Sequence, residues 1–117
     1  MDDGTDIFRE QQAVDALGAL AQSNRLAVFR LLVQCGESGM TAGGIADRLG
    51  IPNSSLSFHL AHLERSELIS RTRDGRSLIY RADYAAMNRL VGYLMENCCG
   101  GKGCVTELSS SLERITS

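Results

Sequence analysis

The chain has 117 residues, 44% of them hydrophobic, with four cysteines and a net charge of -2. That length holds one domain with a thin core, because small domains bury a lower share of their surface. The acidic total excludes a binder of polyanions by bulk charge, and Arg25 and Arg30 interrupt the richest apolar stretch, which excludes a membrane span.

Residues 7–21 are predicted as a helix, with Ala13, Val14, Leu17, Leu20 and Ala21 at helical spacing on one face. Ser23 is placed to cap a second helix whose apolar side is Leu26, Phe29, Leu32 and Val33. Gly36, after Cys35, is its expected end. A third, short helix follows Gly39, with Thr41 as its cap and Ile45, Ala46 and Leu49 facing inward. Gly43 and Gly44 weaken it, by roughly 1 kcal/mol each relative to alanine if both are interior. Gly50 and Pro52 then break the chain, and Asn53 or Ser54 can cap the next helix. Leu56, Leu60 and Leu63 mark that helix as amphipathic over residues 54–66. Two short helices joined by a tight glycine turn make a helix-turn-helix.

Residues 68–73 and 76–81 are strand-like runs on either side of Asp74-Gly75. That dipeptide signals a hairpin whose two central residues take positive φ. A helix-turn-helix followed by a hairpin is a winged helix. Asp83 is the expected cap of a last helix, with Met87, Leu90, Val91, Leu94 and Cys98 on one face and Gly100, Gly101 and Gly103 ending it. The serine-rich residues 105–117 are expected to form a flexible tail. The fold class is therefore mainly α with a small β-hairpin: a single winged-helix DNA-binding domain over residues 1–117, its long apolar first and last helices favouring a homodimer.

On the predicted second helix of the motif, Leu56, Leu60 and Leu63 project inward while Ser54, Ser57, Phe58, Ala61 and Arg65 project outward. A small, hydroxyl-rich face permits close approach to the major groove, which is read by hydrogen bonds and thymine-methyl contacts. An outward phenylalanine is unfavourable in water, so Phe58 is assigned a groove contact, with packing on the third helix or wing as the alternative. His59 lies at the edge of the apolar face, with a DNA contact and a half-buried structural role equally open. His62 is expected at the surface, and the pair lacks a third metal ligand nearby. Five arginines fall between Arg65 and Arg81 against Glu67 and Asp74. Arg71, Arg73 and Arg76 surround the hairpin turn and are expected to meet phosphates or the minor groove. The alternative is a charged edge strand that discourages aggregation.

These residues resemble a family. Ala19-Leu20-Ala21-Gln22-Ser23-Asn24-Arg25-Leu26 through Leu31-Leu32 is similar to the second helix of ArsR/SmtB repressors. Asn53-Ser54-Ser55-Leu56-Ser57-Phe58-His59-Leu60 and Asp74-Gly75-Arg76 resemble that family's recognition helix and wing. The similarity covers roughly residues 13–99. It implies a homodimer built on the first and last helices, binding double-stranded operator DNA and released by a metal or metalloid. Asn53 and Ser55 join the expected DNA-binding residues through this match. Two departures stand out. The stretch matching the Cys-Val-Cys motif of the best-known arsenic sensors is Thr41-Ala42-Gly43-Gly44-Ile45-Ala46, with no thiol, and the last helix has no histidine to match the zinc sensors. In their place stands Asn97-Cys98-Cys99-Gly100-Gly101-Lys102-Gly103-Cys104, which resembles the relocated arsenic site of a smaller group of ArsR proteins.

The chemistry of that segment suits As(III). The N-terminal Met1-Asp2-Asp3-Gly4 has no signal-peptide pattern, so a cytoplasmic location with reduced thiols is expected. Soft thiolates displace the hydroxides of arsenite, and its lone pair leaves a three-ligand pyramid that Cys98, Cys99 and Cys104 can fill. Zinc in structural sites prefers four ligands, and Glu96 or Glu107 are the only nearby candidates for a fourth. Sb(III) or methylarsenite could use the same ligands, the latter needing only Cys98 and Cys99, and softness alone leaves cadmium and lead open. A thiol-redox or persulfide-sensing repressor pairing Cys35 or Cys99 with another cysteine is the other reading. Cys35 by itself reads as a buried core thiol. No organic cofactor is expected. No Gly-rich loop, Cys-X-X-Cys or Cys/His pair with an orienting acid supports an enzyme.

Overall fold

The computed structural model describes residues 3–96, and side chains from Arg9 onward. The elements in order are α1 (Asp3–Leu20), α2 (Ser23–Cys35), a 3₁₀ turn (Gly36–Ser38), β1 (Met40–Thr41), α3 (Ala42–Leu49), α4 (Asn53–Arg65), β2 (Ile69–Asp74), β3 (Ser77–Ala82) and α5 (Tyr84–Leu94). Cys98, Cys99 and Cys104, the glycines after α5 and the expected tail at 105–117 lie outside the described residues. No helix among the described residues is long and apolar enough to cross a membrane.

The core gathers one face of each helix around Val28, Leu32, Ile45, Leu56, Leu63 and Leu68, all essentially inaccessible to water. From the described side chains of α1 it takes the buried alanines Ala13, Ala16 and Ala19, with Leu20 packed against it half-buried. Val14 and Leu17, on the apolar face read from the sequence, are exposed in the single chain, as are Leu26 and Val33 on α2. An alanine face lets α1 lie close to its neighbours, and the larger residues are left at the molecule's edge.

The caps differ from expectation at two helices. The α2 N-cap is Gln22, not Ser23: its Oε1 accepts a 2.9 Å hydrogen bond from the Arg25 backbone N–H. Pro52 occupies the cap position of α4, with no side-chain hydrogen bond, and Asn53 is already helical. Thr41 and Asp83 cap α3 and α5 as expected, accepting from the backbone N–H groups of Gly44 and Ala86.

The wing is a three-stranded antiparallel sheet in the order β1-β3-β2 rather than a lone hairpin. β1 pairs Met40 with Tyr80 and Thr41 with Ile79, which ties the entry of α3 to the wing. Gly39 makes that possible. It has φ +64°, and a Cβ there would lie 2.5 Å from the Tyr80 carbonyl oxygen. Between the paired Asp74 and Ser77, the turn's central residues are Gly75 and Arg76. Only Gly75 has positive φ, +66°, so the turn is of the kind that places glycine first, not one with two left-handed residues.

Candidate nucleic-acid interface

α4 is held by apolar residues on one side and is open on the other. Leu56, His59, Leu60 and Leu63 are buried, while Asn53, Ser54, Ser55, Ser57 and Phe58 are exposed. At 64% exposure, Phe58 is not covered by α3 or the wing among the described residues. The uncapped first turn carries backbone N–H groups without a side-chain acceptor. Such groups suit a phosphate oxygen in a complex with DNA. Hydroxyls, an amide and an aromatic ring thus share one convex face with the positive end of a helix.

His59 departs from the expected DNA-binding set. It is only 9% exposed and turns toward α2, where the Arg25 Nη1 lies 3.5 Å from its Nδ1. Arg25 is itself anchored, its Nε donating to the Ala19 carbonyl oxygen at 2.7 Å. The histidine therefore joins the ends of α1 and α2 to α4 from the inner side. Burial lowers its pKa from the ordinary 6.5, and the Arg25 charge lowers it further. His62 is shifted the same way, first by burial and then by Arg25, Arg65 and His59. Neutral His59 can accept the guanidinium N–H, which favours the unprotonated ring. Its ring also meets Phe58 edge-on, with centroids 6.2 Å apart, so the buried histidine backs the exposed phenylalanine.

The arginines are not one cluster. Arg73 and Arg76 are exposed around the turn, and neither forms an ion pair among the described residues. Arg71 is engaged, with its Nε 3.2 Å from Glu64 Oε2, bracing β2 against α4. Arg81 is engaged too, donating to the Glu37 carbonyl and the Thr72 hydroxyl. Arg65 ends α4, about 18 Å along the helix axis from Asn53, and borders a cavity with α1 and α5 rather than the outward face of the first turns. The structure thus exposes Asn53, Ser54, Ser55, Ser57 and Phe58 on the first turns of α4, sets Arg73 and Arg76 out on the wing, buries His59 behind Phe58, and places Arg65 at the far end of the helix.

The Arg25–His59 contact and the Arg71–Glu64 brace had no local signal in the sequence, since each joins residues on different elements. The cavity had a partial one in the alanines of α1. Cys35, half-buried at the end of α2, packs against the core.

A helix-turn-helix domain family matches residues 20–72, the stretch from the end of α1 through most of β2. The chain is 31% identical over 84 residues to the nodulation protein NolR of Rhizobium meliloti, covering 72% of this chain and 66% of that one. It is 30% identical over 93 residues to the transcriptional regulator KmtR of Mycobacterium tuberculosis, covering 77% of this chain and 69% of that one. A crystal structure described as a possible transcriptional regulator for arsenical resistance superposes with a TM-score of 0.58 at 28% identity, covering 68% of this chain and 80% of its own. The exposed face of α4, the wing beside it and these likenesses converge, and the chain belongs to the ArsR-family winged helix-turn-helix transcriptional regulators, which are DNA-binding proteins and not enzymes.

Proposed function

We propose that this regulator is a repressor that binds its operator as a homodimer and leaves it when As(III) is captured by Cys98, Cys99 and Cys104. One observation carries the reading. A vicinal pair and a third cysteine follow within ten residues of Leu94, where α5 ends, and the outward side of that helix is apolar and uncovered at Val91 and Leu94. A ligand at this helix end acts next to the surface that sets how two copies sit together. The donor set fits: three soft thiolates satisfy a trivalent, pyramidal centre, and the glycines between Cys99 and Cys104 leave the intervening backbone few steric limits. The likeness to a structure described in terms of arsenical resistance supports the same reading.

Sb(III) and methylarsenite are further inducers of the same chemistry, and Cd(II) or Pb(II) its soft-metal rivals. The wing supplies phosphate contacts through Arg73 and Arg76, and α4 supplies base contacts through Ser57 and Phe58. The test is a fluorescence-anisotropy titration of DNA carrying the chain's own promoter. The Cys98→Ser, Cys99→Ser double variant should bind that DNA as the native chain does and stay bound when arsenite is added. Release of the double variant by arsenite would overturn the assignment of the sensor. Mass spectrometry separates the redox reading: arsenite should add one arsenic atom per chain, whereas a stoichiometric disulfide after mild peroxide would favour a thiol-redox switch.

A further inference from the structure

A cavity of about 370 Å³ opens between α1, α5 and the turn that leads from α4 into β2. Its floor is apolar and buried, formed by Ala13, Ala16, Leu68 and Leu90. Its walls are charged in both senses, with Arg65 and Arg89 against Asp15 and Glu67. All four are exposed, and among the described residues none forms an ion pair, although both signs line one space; Asp15 accepts a 3.0 Å hydrogen bond from Gln11 Nε2. The third arginine of the wall, Arg9, is already satisfied: it lies 2.9 Å from Glu96 Oε2 and stacks over the Tyr93 ring at 5.2 Å.

Two further features set this place apart. Glu67 has φ +64°, the one non-glycine residue among those described in the left-handed region. That conformation closes the end of α4, through Leu68 N–H to the Leu63 carbonyl and Glu67 N–H to the Glu64 carbonyl, and the residue placed there lines the cavity with a carboxylate where glycine would relax the backbone. The cavity is also distinct from the exposed apolar ridge, because Val14, Leu17, Val91 and Leu94 do not line it. Covering that ridge would not by itself fill the cavity.

We propose that this cavity binds a small zwitterion with an apolar body, of the free amino-acid class. Its carboxylate meets Arg65 and Arg89, its ammonium meets Asp15 and Glu67, and its side chain lies on the alanine and leucine floor. A simple anion would leave two carboxylates unanswered beside it, and a simple cation two guanidinium groups. A ligand carrying both charges can meet both signs at once, and its apolar body can cover the buried floor. Arg65 is the last residue of α4, so the ligand would touch the end of the recognition helix directly.

The experiment is calorimetric titration of the full chain with L-phenylalanine and L-leucine, alongside 3-phenylpropionate, which lacks the ammonium, and phenethylamine, which lacks the carboxylate. The amino acids should bind with dissociation constants of about 1 mM or below, and the one-charge analogues roughly tenfold or more weakly. Arg89→Met and Asp15→Asn, both at exposed positions, should each weaken L-phenylalanine by about tenfold while thermal melting stays unchanged. In the native chain, amide shifts on adding L-phenylalanine should concentrate at residues 65–68 and 86–93. The proposal is overturned by no binding of either amino acid up to about 10 mM. Equal binding of 3-phenylpropionate, or shifts centred elsewhere in the fold, would overturn it too.

Discussion

Glu67 holds its conformation because the end of α4 requires it. The Leu68 N–H donates to the Leu63 carbonyl at 3.1 Å and the Glu67 N–H to the Glu64 carbonyl at 2.9 Å. Leu63 and Leu68 are both fully buried. This is a Schellman closure, and its left-handed position normally takes glycine. Glu67→Gly should therefore stabilise the fold by about 1 kcal/mol, read as a higher urea midpoint with unchanged slope. The same change should weaken the zwitterion, since it removes one wall of the cavity. A lower midpoint would mean that the carboxylate has a stabilising partner this geometry does not contain. His59 acts in the opposite sense, through pH. Its pKa is lowered in the fold by burial and by Arg25. The unfolded chain therefore binds more protons between the lowered value and about 6.5, and stability rises with pH across that window. Stability is full above about 6.5 and declines as pH falls through it, until the folded-state pKa is passed. Urea midpoints at about pH 7.5 and pH 5.5 should differ, and His59→Gln should reduce the difference. His62, shifted in the same direction, contributes in the same sense. An undiminished difference in that variant would place the titrating group elsewhere.

Among the elements, the proposed function divides the work of binding DNA between α4 and the wing. Arg73 and Arg76 stand on the turn without ion-pair partners among the described residues, so they are available to phosphates. Arg73→Ala or Arg76→Ala should weaken operator and random DNA alike and flatten the dependence on salt by about one counterion for each phosphate no longer neutralised. Ser57→Ala or Phe58→Ala should instead reduce discrimination between the two, by about 1–3 kcal/mol for each base-specific interaction removed. Wing variants that changed only discrimination would reverse this assignment. The geometry behind it is legible in the sequence, because Leu56, Leu60 and Leu63 fix the inward side of α4 and Asp74-Gly75 marks the hairpin. β1 is not legible: two residues have no period, and Met40 meets its partner Tyr80 forty positions away. Neither is the inward turn of His59, since Arg25 sits on another helix. On α1, periodicity weighs Val14 and Leu17 above alanine and so marks the outer face. A hydrophobic pattern records every surface a residue avoids showing to water, whether its own core or another chain covers it. Three of the four cysteines lie beyond the described residues, so their arrangement rests on chemistry and spacing alone.

At the scale of the whole molecule, the uncovered ridge has to be reconciled with a chain meant to live in water. Val14 and Leu17 on α1 and Val91 and Leu94 on α5 are each more than a third exposed, and α1 packs against α5. Scattered single exposures are ordinary, but four large apolar residues on two adjoining helices are a surface that a second copy can cover. The DNA imposes a matching demand. Two recognition helices must enter major grooves about 34–36 Å apart, which one chain with one α4 cannot do. If α1 and α5 form the contact between copies, their geometry sets that spacing, and in the proposed function a metalloid held by the cysteines that follow α5 in sequence changes it. Such a ligand acts only if it favours a dimer shape with the wrong spacing, and the coupling is then reciprocal: operator DNA should weaken arsenite binding by the same factor by which arsenite weakens DNA binding. The ridge itself can be tested apart from the thiols. Leu94 is 54% exposed in the single chain, so Leu94→Glu should leave the monomer's own packing intact. In a dimer the change would force carboxylates into an apolar contact. Sedimentation should show the native chain as a dimer at about micromolar concentration and the variant as a monomer. The urea midpoint of the native chain should rise with protein concentration while that of the variant does not. Operator affinity of the variant should fall toward its affinity for random DNA, because one recognition helix cannot use both half-sites. A native chain that sediments as a monomer at that concentration, or a Leu94→Glu variant that keeps full operator affinity, would show that the ridge is not where two copies meet.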